Sequence, residues 1–511
     1  MRGPHNIWRL VRTGATLERT GAMKVILDAY DAPPLLRFAA RVAGWPFQWL
    51  GHRGDPAMPA ATRALTALGP AYIKFGQILS TRPDLVGEDL ARHLRVLQDR
   101  LPPFSRDIAK ATVEHELDKP IESIFSEFSE PIAAASIAQV HKARLVETGE
   151  EVAVKVLRPG IEKAFRKDVD AFYLAATIIE FLSPASRRLR PSDVVEHFDG
   201  VVRGELDLRL EAASASTFAA NTEGDDGFRL PAVRWQESGR RVMTMTWAEG
   251  VSLGDNDALD AAGHDRVKLG EEVLTLFLNH ALRDGFFHAD MHQGNLKVAA
   301  DGAIIAYDFG IMGHIDEYTR RVYAEILYGF IKRDYMRVAL VHFEAGYVPA
   351  DQDVDEFARA LRAVGEPIFG MDATRISMGR LLSYLFDVTE RFGMETRTEL
   401  ILLQRTMVVV EGVARSLSPQ INIWEVARPV VEDYIRNSLG PRALARDLRK
   451  TAEVLSRFGP RLPMLVERSL MQQMTSLDPK RTAPRGRRLL WLGLGAIGGA
   501  AVASAAALML G

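Results

Sequence analysis

The sequence predicts an α+β protein of two lobes, extended by helices at its N-terminus and closed by one membrane-spanning helix at its C-terminus. Three observations carry this. Apolar runs of strand length, separated by turn signals, cluster between residues 131 and 250. From Asp316 to about Thr475 the pattern is helical throughout. Leu489 to Leu510 holds 22 residues with no charge and one serine; as a helix it would span roughly 33 Å, enough for a bilayer core.

At 511 residues the chain is long for one domain, so two lobes with a shared cleft are expected. A content of 47% hydrophobic and 25% charged residues excludes wholesale disorder. The net charge of -2 gives no global reason to expect a nucleic-acid partner. The absence of cysteine excludes disulfides, thiolate metal sites and cysteine nucleophiles. Arg2 and Arg9 resemble a charged leader, but polar Thr13 to Lys24 follows where an apolar core would stand, so no secretory signal is read. Lys480, Arg481, Arg485, Arg487 and Arg488 precede the apolar run, which predicts a single-pass C-terminal anchor with the body on the cytoplasmic side. The bland alternative is a buried helix at the chain end. The spacing of Gly495 and Gly499 also permits close approach of two such helices, leaving a homodimer open.

The expected segments are N-terminal amphipathic helices over 1–59, a helical extension over 60–130, a mixed lobe over 131–250, a helical lobe over 251–475, a basic linker over 476–488 and the membrane helix over 489–510. Pro33, Pro34 and Pro46 break the first helices. Ala60 to Ser80 reads as helix, ending before Pro83. Ala138 to Leu145 and Glu151 to Leu157 read as strands joined by a hairpin over 147–150. A long helix is expected from Asp193 to about Ala220, a strand from Arg241 to Trp247, and a helix from Glu271 to Asp284 ended by Gly285. Leu296 to Val298 and Ala303 to Tyr307 flank an Asp301-Gly302 turn, a strong hairpin signal. A small mixed lobe followed by a helical one is the layout of a kinase-like fold.

The residues with chemistry agree. Asp290 and Asn295 stand five apart in the run from His288 to Asn295, the spacing in which an aspartate meets the acceptor and an asparagine binds metal. Asp308 opens an Asp-Phe-Gly triplet directly after a predicted strand, where a carboxylate reaches Mg²⁺. Mg²⁺ demands hard oxygen ligands, and Asn295 with Asp308 supplies them beside nucleotide phosphates and water. In Val152 to Val156, alternation puts the three valines on one face and Lys155 on the other with Ala153. A cation there can hold the phosphates of ATP and pair with a helix glutamate. His288 and His292 flank Asp290, but no third ligand is evident, so a structural role in the loop is the reading.

Beyond these motifs, the sequence resembles the UbiB family of atypical kinase-like proteins tied to ubiquinone biosynthesis. Lys74, Gly76 and Gln77, within Leu68 to Gln77, match its KxGQ motif. Pro131 to Val140 resembles the alanine-rich loop that replaces the glycine-rich loop of kinases. Glu205 and Asp207 match its ExD motif, and Glu211 falls where the family places the partner of the strand lysine. The likeness runs from about residue 60 to Glu411 and Gly412. Met291 and Gln293 stand where the family usually has prolines, which predicts a looser catalytic loop. Ala289 fills the slot of the usual arginine, which argues against control by activation-loop phosphorylation.

The resemblance implies an atypical protein-kinase-like bilobal fold using ATP and Mg²⁺. Asp290, Lys155 and Glu211 are then the catalytic residues, and Asn295 and Asp308 the metal ligands. Ala133, Ala134, Ala135, Ser136, Ala138 and Val140 would lie at the nucleotide, with Lys74, Gln77, Glu205 and Asp207 completing that side. Alanines restrict the positive φ that lets a glycine loop close its amides over phosphates, so the nucleotide is expected to be held differently. Lys74 is expected to meet the ExD carboxylates from a helix lying across the site, an arrangement that would obstruct a polypeptide substrate. Two ordinary readings stand beside this: Glu205 and Arg209 as a helix pair worth about 0.2–0.5 kcal/mol, and Asp207 with Glu211 as a mildly repulsive one.

The expected function is a membrane-anchored ATPase or kinase of the bacterial inner membrane, its catalytic part in the cytoplasm, supporting ubiquinone biosynthesis by ATP-coupled handling of polyprenylated intermediates. Membrane lipids, polyprenylated quinone precursors and other ubiquinone-biosynthesis proteins are the implied partners. The alternatives are a nucleotide-gated scaffold without essential turnover, and a small-molecule phosphotransferase of the aminoglycoside or choline kinase type.

Overall fold

A computed structural model describes residues 5–29, 45–80, 90, 93–94, 102–182, 191–370, 388, 391–394 and 398–439. The described residues divide into two compact units, those within 5–212 with 233–247, and those within 213–232 with 248–439.

The first unit is built on a four-stranded antiparallel sheet in the order β1 (Phe125–Ala134), β2 (Ala138–Leu145), β3 (Glu151–Leu157) and β4 (Val242–Thr246). β2 and β3 have the bounds the alternation predicts. Val152, Val154 and Val156 are fully buried, packed with Ala109, Val113, Ile121 and Leu145, while Lys155 leaves the opposite face. β1 escapes a pattern reading because its pairing with β2 shifts register three times between Phe125 and Ala133, so its side chains do not alternate cleanly. Helices α1 (His5–Thr20), α2 (Pro70–Ser80), α3 (Ile161–Leu182) and α4 (Pro191–Glu205) are among those that complete this unit. Tyr72 and Phe75 of α2, Phe172 of α3 and Phe198 of α4 interlock through ring contacts of 4.9–5.7 Å. The long helix expected over 193–220 is two helices. α4 ends at Glu205, and α5 (Leu208–Asn221) starts after Asp207.

The second unit is mainly helical. α6 (Arg266–Asn279) and its continuation end at Gly285, whose φ of +66° suits glycine; a Cβ there would lie 2.5 Å from the Ile315 carbonyl oxygen. Short strands β5 (Phe286–His288), β6 (Leu296–Val298), β7 (Ile304–Ala306) and β8 (Met312–His314) follow. β6 pairs antiparallel with β7 across the predicted turn, where Gly302 has φ +89°. β8 pairs with β5, and brings the segment after the Asp-Phe-Gly triplet beside the strand that leads into Asp290. Helices α7 (Glu317–Lys332) and α8 (Thr398–Leu417) are among those that close this unit.

One expectation is corrected. Among the described residues no helix is long and apolar enough to cross a membrane, and residues 489–510 lie outside the described residues. Length alone does not make a span: α3 has 22 residues but carries Glu162, Lys163, Arg166, Lys167, Asp168, Asp170 and Glu180. The described residues are therefore α+β and kinase-like, and none of their helices is the expected transmembrane helix. The single-pass anchor, the inner-membrane placement and the membrane-anchored form of the function thus have no described helix to rest on.

Two buried histidines give the second unit a pH signature. Burial holds both His280 and His342 down to about 4 from an ordinary 6.5. Between these values the unfolded chain binds protons that the folded chain refuses, so folding is favoured in full above pH 6.5 and weakens as pH falls toward 4. Urea unfolding followed from pH 7 to 4.5 should show stability falling by on the order of 3 kcal/mol per histidine across that window. Replacing either with glutamine should flatten the curve.

Candidate functional site

In the first unit, Lys155 lies in register between Val140 of β2 and Met243 of β4. Its Nζ donates to Glu211 Oε1 at 2.6 Å, both side chains being largely buried. Glu211 reaches it from the first turn of α5, a helix positioned by Asp207. That carboxylate accepts the Arg209 backbone N–H and both arms of the Arg209 guanidinium, at 2.9 and 2.6 Å. The Arg209 hydrogen bonds hold the Asp207 carboxyl below its usual range, with Arg240 adding to the effect. Glu205 and Arg209 therefore sit on different helices, and the helix pair expected between them gives way to Asp207–Arg209.

Lys74 projects from α2 to Glu205, Nζ to Oε1 at 2.8 Å, again largely buried. Gln77 lies one turn further along the same helix, after buried Gly76. The structure thus brings Lys74 to Glu205, and Asp207 to Arg209.

The alanine-rich segment is a strand end and a tight turn. Ala133 and Ala134 close β1, and the Ala135 N–H donates to the Ala138 carbonyl at 2.8 Å. Arg158 fastens the turn by donating Nε and Nη2 to the Ala135 carbonyl at 3.0 and 2.8 Å. Ser136 and Ala138 are buried, Val140 half-buried. No residue from Pro131 to Val140 has a positive φ. The turn therefore keeps the Ala135 amide for itself, unlike a glycine loop that turns its amides outward.

In the second unit, Asp290 follows β5. Its backbone N–H donates to His288 Nδ1 at 3.0 Å, which places the proton of a neutral His288 on Nε2; burial holds this ring below its ordinary pKa. The Asn295 Nδ2 amide donates to the Asp290 carbonyl at 3.0 Å and to its Oδ2 at 3.3 Å. His292 Nε2 lies 3.5 Å from the same Oδ2, while its Nδ1 accepts the Gly294 N–H. Both histidines thus accept a backbone N–H of the loop, and no three His, Asp or Glu side chains among the described residues are grouped to hold a metal. Asp308 stands after β7, its Oδ1 accepting the Gly310 N–H at 3.0 Å. Between them Phe309 is fully buried against Phe218 and His288.

Sequence reasoning missed the braces on this loop. Buried Thr406 of α8 shares its hydroxyl hydrogen between the Leu402 carbonyl of its own helix at 2.8 Å and the Ala289 carbonyl at 3.1 Å. Gln293 donates Nε2 to Ser416 Oγ, also on α8, at 2.7 Å, and Met291 is buried. Where prolines would stiffen the loop by ring geometry, side-chain contacts hold it, so the looseness expected from Met291 and Gln293 is offset. No local signal could reveal pairs separated by 117 and 123 residues.

Comparison with known proteins agrees with this picture. Residues 96–342 match the ABC1 atypical kinase-like domain, and residues 361–422 the UbiB helical domain. Over 418 residues, 81% of this chain and 76% of the relative, the sequence is 41% identical to a Marinobacter nauticus protein named "Probable protein kinase UbiB". A solved Mycobacterium tuberculosis protein in complex with erythromycin is 23% identical, covering 70% of this chain and 90% of that one at a TM-score of 0.48, too slight a likeness to bear on ligand or mechanism. At that identity and coverage to the Marinobacter protein, the chain belongs to the UbiB family and is an enzyme of the atypical kinase or ATPase type.

Proposed function

We propose that this enzyme hydrolyses or transfers the γ-phosphoryl group of Mg-ATP in support of ubiquinone biosynthesis, the acceptor being water or a small or polyprenylated molecule. The observation that carries the reading is that the Lys155–Glu211 ion pair and the Asp290–Asn295 loop both stand intact in one chain. Family membership implies ATP and Mg²⁺, and the donor set fits them. Asn295 spends its amide N–H on Asp290, which leaves Oδ1, a hard donor, for a cation; the Asp308 carboxylate is a second. Bound Mg-ATP would supply the transferable phosphoryl group and neutralise its charge.

Lys155 would clamp the phosphates, kept in place by Glu211. Ala133, Ala134, Ala135, Ser136, Ala138 and Val140 would line the nucleotide with a turn that offers few amides. Lys74, Gln77, Glu205 and Asp207 would complete that side, the Lys74–Glu205 pair tying α2 to the end of α4. Asp290, oriented by the Asn295 amide, would take the acceptor proton or align a water molecule. Thr406 and Gln293 would keep the loop in that geometry. Polyprenylated quinone precursors and other proteins of ubiquinone biosynthesis would be the partners.

ATP hydrolysis by the purified chain with Mg²⁺, with and without a polyprenyl-phenol analogue, tests this. Asp290→Asn should lower kcat by about 10²–10⁴-fold while nucleotide binding persists. Binding without turnover in both proteins would favour the scaffold. Thr406→Val leaves the buried Ala289 carbonyl unpaired; it should cost about 1–3 kcal/mol in urea unfolding and lower kcat more than it changes KM for ATP.

A further inference from the structure

Within the first unit lies a cavity of about 530 Å³ walled by α3, α4 and Arg240, and none of the site residues above lines it. Its floor is apolar: Phe165 and Val169 from α3, with Val202 and Leu206 from α4 and its end, all buried. Its rim is cationic: Lys163, Arg166, Arg203 and Arg240 are exposed. The two carboxylates in the wall are already engaged. Glu162 meets Arg241 at 3.3 Å, and Asp199 takes both arms of Arg203 at 2.9 and 2.8 Å. Lys163, Arg166 and Arg240 have no carboxylate in ion-pair contact among the described residues.

Three exposed cations, none in direct ion-pair contact although Arg240 acts on Asp207 at longer range, surround an apolar floor and describe a ligand as well as a surface. Like charges held together raise the local potential, and an incoming anion relieves it. Guanidinium forks suit the oxygens of a phosphoryl group, and the volume falls in the range of small-molecule sites. The floor would be wasted on a bare ion, since burying apolar surface rewards an apolar body. We propose that this cavity binds a phosphate-type oxyanion carrying a compact apolar group. It shares a wall with the ExD turn: Leu206 lies between Glu205 and Asp207, and the Leu208 N–H donates to the Arg240 carbonyl at 2.9 Å.

The test is calorimetric titration of the full chain with phenyl phosphate, at saturating Mg²⁺ and a non-hydrolysable ATP analogue so that any nucleotide site is filled. One site is expected, with phenol and inorganic phosphate each binding about tenfold more weakly or worse, since each lacks half of the recognition. The double variant Arg166→Gln, Arg240→Gln should weaken phenyl phosphate by about tenfold or more at an unchanged melting temperature. Should that variant fail to fold, exposed Lys163→Gln alone should show a partial loss. No binding by the wild type, equal binding by folded variants, or phenol binding as well as its phosphate would each overturn the proposal.

Discussion

The Lys155–Glu211 ion pair is the contact on which the first unit's chemistry depends. It joins the middle of a strand to the first turn of a helix, with both side chains largely out of water. Such a pair gains little net stability, because desolvating both charges offsets much of their attraction. It is costly to break by halves, since a lone buried charge remains. That asymmetry gives α5 one favoured position against the sheet, and the position serves the cation. The valine face of β3 sets the other condition: with Val152, Val154 and Val156 committed to the core, Lys155 can only point away from it.

A second constraint lies in how the chain turns. α4 stops at Glu205 and α5 restarts at Leu208, so the two ExD carboxylates serve different ends. Glu205 closes one helix and takes Lys74; Asp207 sits before the next and takes Arg209. The alanine turn is built on the same economy. The Ala135 N–H closes its own hairpin and the Ala135 carbonyl receives Arg158, which leaves a rigid corner in place of an amide cradle.

What the sequence made legible follows from the range of the forces involved. β2, β3 and the hairpin around Asp301 and Gly302 announce themselves by alternation and turn chemistry, both local. The loop from Asp290 to Asn295 and the turn at Asp308 are local in the same sense, each closed by hydrogen bonds within a few residues. β1 was not, because its register shifts scramble the alternation. Nor was the break at Leu206, since an apolar residue between two acids fits a continuous helix until the Asp207 carboxylate folds back on Arg209. The apolar run at 489–510 was easy to read as a span, but no described helix has that character. Thr406 and Ser416 could not be found from sequence, for nothing near them in the chain mentions Ala289 or Gln293.

The two braces from α8 also bear on how such a protein can be recombined. Thr406 and Ser416 belong to the segment matched as the UbiB helical domain, whereas Ala289 and Gln293 belong to the kinase-like part. The boundary between these two matches is thus not a seam at which pieces can be exchanged freely. A chimera taking its helical segment from a relative inherits whatever faces position 293, and a proline loop arriving opposite Ser416 would leave that hydroxyl without the Gln293 amide. Loop and helix have to be transplanted together.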